Sequence, residues 1–134
     1  MKRVSATLLA MVGILALTTT ASAQSMTMRA NIPFDFAVGD RHLDKGEYIV
    51  RVGSSVVQLM SPKGPGAFSL SQAASPGKSQ TGNVLEFRRY GDAYFLSKLL
   101  WADGVARELP KTRSEIEIAR KYPGVRAIET ATAK

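Results

Sequence analysis

The sequence predicts an all-β protein: a small antiparallel sandwich or partly closed barrel of about seven or eight strands, with one short C-terminal helix and an N-terminal signal helix. Three observations predict it. Short runs in which apolar and polar residues alternate recur at roughly 8–12-residue spacing. Clusters rich in Gly, Pro, Ser and Asp separate them. Residues 84–101 read as a long hairpin, with Gly91-Asp92 between two flanks rich in aromatic and aliphatic side chains.

The chain has 134 residues, which is enough for one hydrophobic core. Its first 23 residues read as a secretory signal. Lys2 and Arg3 precede an apolar run containing Leu8, Leu9, Val12, Ile14 and Leu15. Ala21-Ser22-Ala23 then places small residues where a signal peptidase needs them, with cleavage expected between Ala23 and Gln24. The apolar run is about 14 residues long, short of the roughly 20 that cross a bilayer, so no transmembrane span is expected once the signal is removed. The processed chain begins at Gln24 and is expected in the periplasm or outside the cell. It contains no cysteine, so the domain of residues 24–126 has to be held by its core rather than by disulfides.

Within that domain, Met28, Ala30 and Ile32 alternate with Thr27, Arg29 and Asn31, and Phe34 and Phe36 continue the phase beyond Pro33. Proline lacks the amide donor a ladder needs, so the strand is expected to bend there with both phenylalanines inward. Leu43-Asp44-Lys45-Gly46-Glu47-Tyr48 has the spacing of a tyrosine corner, in which the phenol bonds to backbone a few residues upstream. Tyr48, Val50 and Val52 begin a strand, Gly53-Ser54-Ser55 a turn, and residues 56–60 and 67–73 two more strands around a Pro/Gly loop. Residues 75–82 lack apolar periodicity and read as a mobile loop.

Two registers fit the 84–101 hairpin. A two-residue turn sets Phe87 opposite Leu96 and Arg89 opposite Tyr94. A three-residue turn with a bulge sets Phe87 opposite Phe95 and collects Leu85, Phe87, Phe95, Leu99 and Trp101 on one face. The second gathers the larger apolar side chains and is the register expected. After a turn at Ala102-Asp103-Gly104 and a short return strand, Pro110 ends the sheet. Thr112, with Glu115 three positions on, has the pattern of a capping box for a helix over about residues 112–121, with Ile116, Ala119 and Tyr122 as its apolar stripe. Residues 127–134 are small and polar and read as a disordered tail.

The chemistry is sparse. Cysteine catalysis and cysteine metal sites are excluded, and no nucleophile elbow or phosphate-cradling glycine loop is present. The single histidine, His42, stands between Asp40 and Asp44 in a turn region. D-x-H-x-D offers a divalent cation three ligands of two types, and it is the one place where a small metal-dependent or hydrolytic enzyme would be centred. Exposed turn residues have the same composition, so no catalytic residue, metal or cofactor is assigned. The formal net charge is +7, or about +5 after the signal is removed, which favours anionic glycan or lipid over cationic partners. Arg88, Arg89, Tyr90, Tyr94 and Trp101 form the one basic and aromatic cluster, the candidate ligand surface for such molecules. Export argues against nucleic acid.

Four stretches carry a resemblance: N-I-P-F-D-F at residues 31–36, L-x-x-G-x-Y at 43–48, F-R-R-Y-G-D-x-Y-F-L at 87–96 and E-L-P-K-x-R-x-E at 108–115. Together they resemble a family of short, exported, uncharacterised proteins of environmental bacteria. The family pattern often has L-P-A-G before the tyrosine, where this chain has Asp44-Lys45 in place of Pro-Ala. The resemblance implies a secreted β-rich domain and supplies no activity. The function expected is that of a non-catalytic structural or binding module of the cell envelope.

Overall fold

Pro33 divides the first extended run as expected. In the computed structural model, which describes residues 25–75, 81–123 and 127–134, strand β1 (Met26–Ile32) ends at Pro33 and β2 (Phe36–Val38) resumes three residues later. The signal segment and its Ala23/Gln24 cleavage point lie outside the described residues, as do 76–80 of the loop and 124–126. The remaining strands are β3 (Arg41–Leu43), β4 (Gly46–Val52), β5 (Val56–Met60), β6 (Ala67–Leu70), β7 (Gln72–Ala73), β8 (Asn83–Tyr90), β9 (Ala93–Leu100), β10 (Ala106–Glu108) and β11 (Ala127–Ala133), with one helix, α1 (Arg113–Lys121), between the last two. The all-β class holds. There are more strands than expected among the described residues because the runs at 67–73 and around Pro33 are each divided in two, and because β3 and β11 form where a turn and a tail were expected.

One sheet runs β3-β2-β9-β8-β11-β1-β4-β5-β6. Beyond β6 the chain continues into β7, which pairs with β10, and β10 pairs with the far half of β9. The strands thus return to their start, and the sheet is a nearly closed barrel. β2 lies parallel to the near half of β9 at Ala37↔Phe95. Near-closure shortens the exposed edges that a small open sheet would leave, with β3 and β6 each paired on one side only.

The inward residues are those that alternation selects. Met28, Ala30, Ile32, Tyr48, Val50, Val52, Val57, Leu59, Leu85 and Phe87 are buried in one core. Phe34 and Phe36 both meet Phe87 edge-on, with ring centroids 4.9 and 5.5 Å away. The tyrosine corner forms: the Tyr48 hydroxyl donates to the Asp44 carbonyl at 2.6 Å, and Gly46, at φ 149°, lets the chain turn between them.

The β8/β9 hairpin corrects the expected register. The turn has two residues, Gly91 and Asp92, with Tyr90 facing Ala93, Arg89 facing Tyr94 and Phe87 facing Leu96. A bulge is present, but inside β9. Glu86 pairs with Lys98, so Ser97 is the extra residue, and its hydroxyl donates to the Glu86 carbonyl at 3.0 Å. The bulge shifts the phase of β9. Leu96, Leu99 and Trp101 therefore all join Leu85 and Phe87 in the core, and Phe95 faces the other way.

Two further expectations are corrected. Residues 127–134 are not a frayed tail: β11 is hydrogen-bonded between β8 and β1, with Ala131 and Ala133 buried. Alanine carries little hydrophobic signal, yet a small side chain is what fits where two strands converge on a narrow barrel, as at the Ala30↔Ala133 pair. The helix stripe is also displaced. Thr112 caps α1 as expected, its hydroxyl accepting from the Glu115 amide at 3.3 Å, but Ile116 is exposed. The face turned to the barrel carries Glu115, Ile118 and Ala119, and the last two pack against Ala37, Tyr90 and Phe95. A buried carboxylate sets this face, so counting apolar residues alone misphases the helix.

Candidate functional site

The five residues expected as a basic-aromatic surface do not share one. Strand alternation puts Arg88 and Tyr90 on the outer side of β8, beneath α1, and Arg89 on the other side. Arg88 donates to both Glu115 carboxylate oxygens, Nε–Oε1 at 2.5 Å and Nη2–Oε2 at 3.1 Å. The buried Tyr90 hydroxyl adds a third bond to Oε1 at 3.1 Å. This is a helix-docking network, with its donors turned to Glu115 rather than to a ligand. Arg89 lies 5.3 Å from the centroid of the Tyr94 ring, and Tyr94 stacks on Phe34 at 4.0 Å. Trp101 is buried in the main core. The expected ligand surface is thus divided among a helix contact, a rim and a core.

The other expected cluster is exposed. Asp40, His42 and Asp44 all lie on the surface around β3, and Asp40 accepts from the Ser114 hydroxyl at 2.9 Å, which ties the β2/β3 turn to the start of α1. Among the described residues, no three His, Asp or Glu side chains come together as a metal site.

What the fold builds beside His42 is a cleft of about 530 Å³ between the β2/β3 hairpin, the β8/β9 turn and the end of α1. Its floor is apolar, made by Phe36, Leu43, Phe95 and Ile118 together with the Tyr90 ring. Its rim is polar: Asp35, His42, Asp44, Asp92 and Lys121, with the Tyr94 and Tyr122 rings as walls. The Asp35 carboxylate accepts from the Lys45 amide at 2.9 Å, so one of its oxygens is already used by the turn. A second, smaller cleft of about 200 Å³ adjoins it across His42 and Asp44, reaching Ser61, Lys63 and Pro65.

Comparison of the chain with protein-family models, with curated proteins and with solved structures returned no match. The cleft is therefore read from its own chemistry.

Three carboxylates converge on one opening in a chain whose net charge is +7. Burial of the Tyr48 ring, with Asp44 and Asp35 nearby, raises the phenol above its ordinary pKa, so Tyr48 stays a neutral donor within this negative neighbourhood. Sequence reasoning singled out His42, Asp44, Tyr90 and Tyr94, though in two separate clusters, and missed Asp35, Asp92, Ile118, Lys121 and Tyr122. They are brought together only by the path of the helix over the hairpin turn. The one local signal was Gly91: a side chain there would lie 2.9 Å from the Tyr122 ring, so the turn is bare where the helix end crosses it.

Proposed function

We propose that the chain is an exported, non-catalytic β-barrel module of the cell envelope whose cleft holds an amphiphilic cation, an amine or guanidinium carried on a flat or aliphatic body. One observation carries the reading: an apolar, aromatic floor beneath a rim where three carboxylates outnumber one lysine, in a protein that is otherwise basic. An apolar body would displace water from Phe36, Leu43, Phe95 and Ile118, while its cationic head meets Asp44 and Asp92 beside the Tyr94 and Tyr122 rings. The order of charge, apolar run and small residues at the N-terminus supports export. The absence of cysteine and the single exposed histidine give little support to a hydrolytic device at His42.

Titration with benzyltrimethylammonium, followed by amide chemical shifts, tests the cleft. Shifts confined to residues of β2, β3, the β8/β9 turn and the end of α1 are expected. Replacing Asp44→Asn and Asp92→Asn together should weaken binding by about tenfold, on the basis of roughly 0.5–1 kcal/mol for each exposed charge contact. Equal binding of benzyl alcohol would remove the cationic half of the reading, and the absence of any shift would remove the site.

A further inference from the structure

The outer face of β4, β5 and β6 carries a second feature, independent of the cleft. Phe68 is 75% exposed, Leu70 68% and Val56 40%, although each stands in a well-paired strand. Val56 and Leu70 are direct cross-strand partners, and Phe68 is one step along the same face, opposite Gln58. The patch continues through half-buried Met60 and Ile49, which face each other across β5 and β4. Arg51, paired with Gln58, shares the row of Phe68 about two strand spacings, or about 10 Å, away. Arg29, paired with Ile49, is its diagonal neighbour on β1. Both arginines are exposed, and among the described residues neither makes an ion pair.

The charge of this face is positive on balance: Arg29 and Arg51 stand against one carboxylate, Glu47, which is exposed on β4 on the same side as Ile49. From Tyr48 to Leu85 the sequence contains no Asp or Glu. Of the other carboxylates in the preceding segment, Asp35 and Asp44 stand at the cleft and Asp40 at the start of α1. A soluble sheet face usually places charge, not phenylalanine and leucine, at its outward positions. Bulky apolar side chains standing clear of the strand, with unpaired guanidiniums behind them, match the headgroup boundary of an anionic bilayer. Apolar tips enter the acyl margin there and cations stay among phosphates.

We infer that the outer face of β4–β6 docks on an anionic lipid surface, with Phe68 and Leu70 as the inserting residues and Arg51 and Arg29 as the phosphate contacts. The test is sedimentation of the protein, as recovered from exporting cells, with vesicles of phosphatidylcholine alone or with about three parts in ten phosphatidylglycerol. Any contribution of the N-terminal segment is common to all variants and cancels in the comparison. Binding should be stronger to the anionic vesicles. Arg29→Gln with Arg51→Gln should weaken it by about thirtyfold, as two charges near the surface imply. Phe68→Ser with Leu70→Ser should weaken it by at least about tenfold. All four side chains are exposed, so unchanged thermal melts are expected and certify the fold. Equal binding of all variants, or no preference for the anionic vesicles, overturns the inference. So does a dimer in sedimentation velocity that Phe68→Ser with Leu70→Ser dissolves, since the face would then belong to a second copy of the chain.

Discussion

Arg88 on β8 and Glu115 on α1 meet through two parallel bonds, at 2.5 and 3.1 Å, with the Glu115 side chain 2% exposed and that of Arg88 16%. The same carboxylate takes the Tyr90 hydroxyl, and its own amide is capped by Thr112. One side chain therefore fixes the rotation of the helix and its seat on the barrel. Ile118 and Ala119 then fall against Ala37, Tyr90 and Phe95, and the helix end reaches the rim of the cleft.

Removing one partner of this pair should be costly. Glu115→Ala takes the carboxylate away from the Arg88 guanidinium and the Tyr90 hydroxyl under a helix, and a loss of about 3–5 kcal/mol is expected in urea unfolding. Arg88→Met with Glu115→Leu replaces charge by packing of similar volume and should recover most of that loss. If Glu115→Ala alone costs under about 1 kcal/mol, the pair does not anchor the helix.

The tyrosine corner makes a pH-dependent contribution. Burial, with help from Asp44 and Asp35, raises the Tyr48 pKa in the folded protein above the ordinary 10.0. The folded state thus holds that proton more tightly than the unfolded chain. The stabilisation is whole below pH 10.0 and is lost as the pH climbs through the higher folded value. Tyr48→Phe should cost about 1–2 kcal/mol at neutral pH, through loss of the bond to the Asp44 carbonyl. It should also flatten the fall in melting temperature on the alkaline side. A parallel fall in both proteins would assign the alkaline loss to other groups.

Much of the barrel is legible in the chain because one face of each strand is buried. Met28, Ala30 and Ile32, then Tyr48, Val50 and Val52, announce their inward side by alternation, and Pro33 announces the break. Three things are not written locally. The bulge at Ser97 is a polar residue in mid-strand whose only cue, a hydroxyl bonded to Glu86 backbone, exists after pairing. The face of α1 is set by a carboxylate that looks exposed until Arg88 is placed beneath it. The last strand is spelled in alanine and threonine, whose inward positions matter for being small. The cleft inherits these gaps, since Asp92, Ile118 and Tyr122 meet only through the helix path.

The last strand offers a direct check on closure. β11 pairs with β8 along seven residues and reaches β1 at Ala30↔Ala133, where Arg29 and Lys134 exchange backbone bonds at 2.7 and 2.8 Å. Deleting residues 127–134 opens the barrel between β8 and β1 and exposes the ladders of both. A loss of more than about 5 kcal/mol, the whole stability of many small domains, is expected. Circular dichroism should then show no cooperative melt. Retention of the full-length transition after this deletion would mean that the strand adds little to the barrel.

Gly91 and Tyr122 define how the helix end lies over the hairpin turn. Gly91 has φ 59°, and a Cβ there would stand 2.9 Å from two carbons of the Tyr122 ring. Gly91→Ala therefore combines left-handed backbone strain with a displaced ring, for an expected cost of about 1–2 kcal/mol. Tyr122 is about half exposed and can swing away, so the clash is the smaller part. Tyr122→Ala in the same chain should relieve the clash and leave the strain, making the two substitutions less than additive by about 0.5 kcal/mol or more. Both substitutions should also weaken benzyltrimethylammonium binding, because each removes or moves a wall of the cleft. Strict additivity in stability, together with unchanged binding, would show that the Tyr122 ring neither packs on the turn nor lines the site.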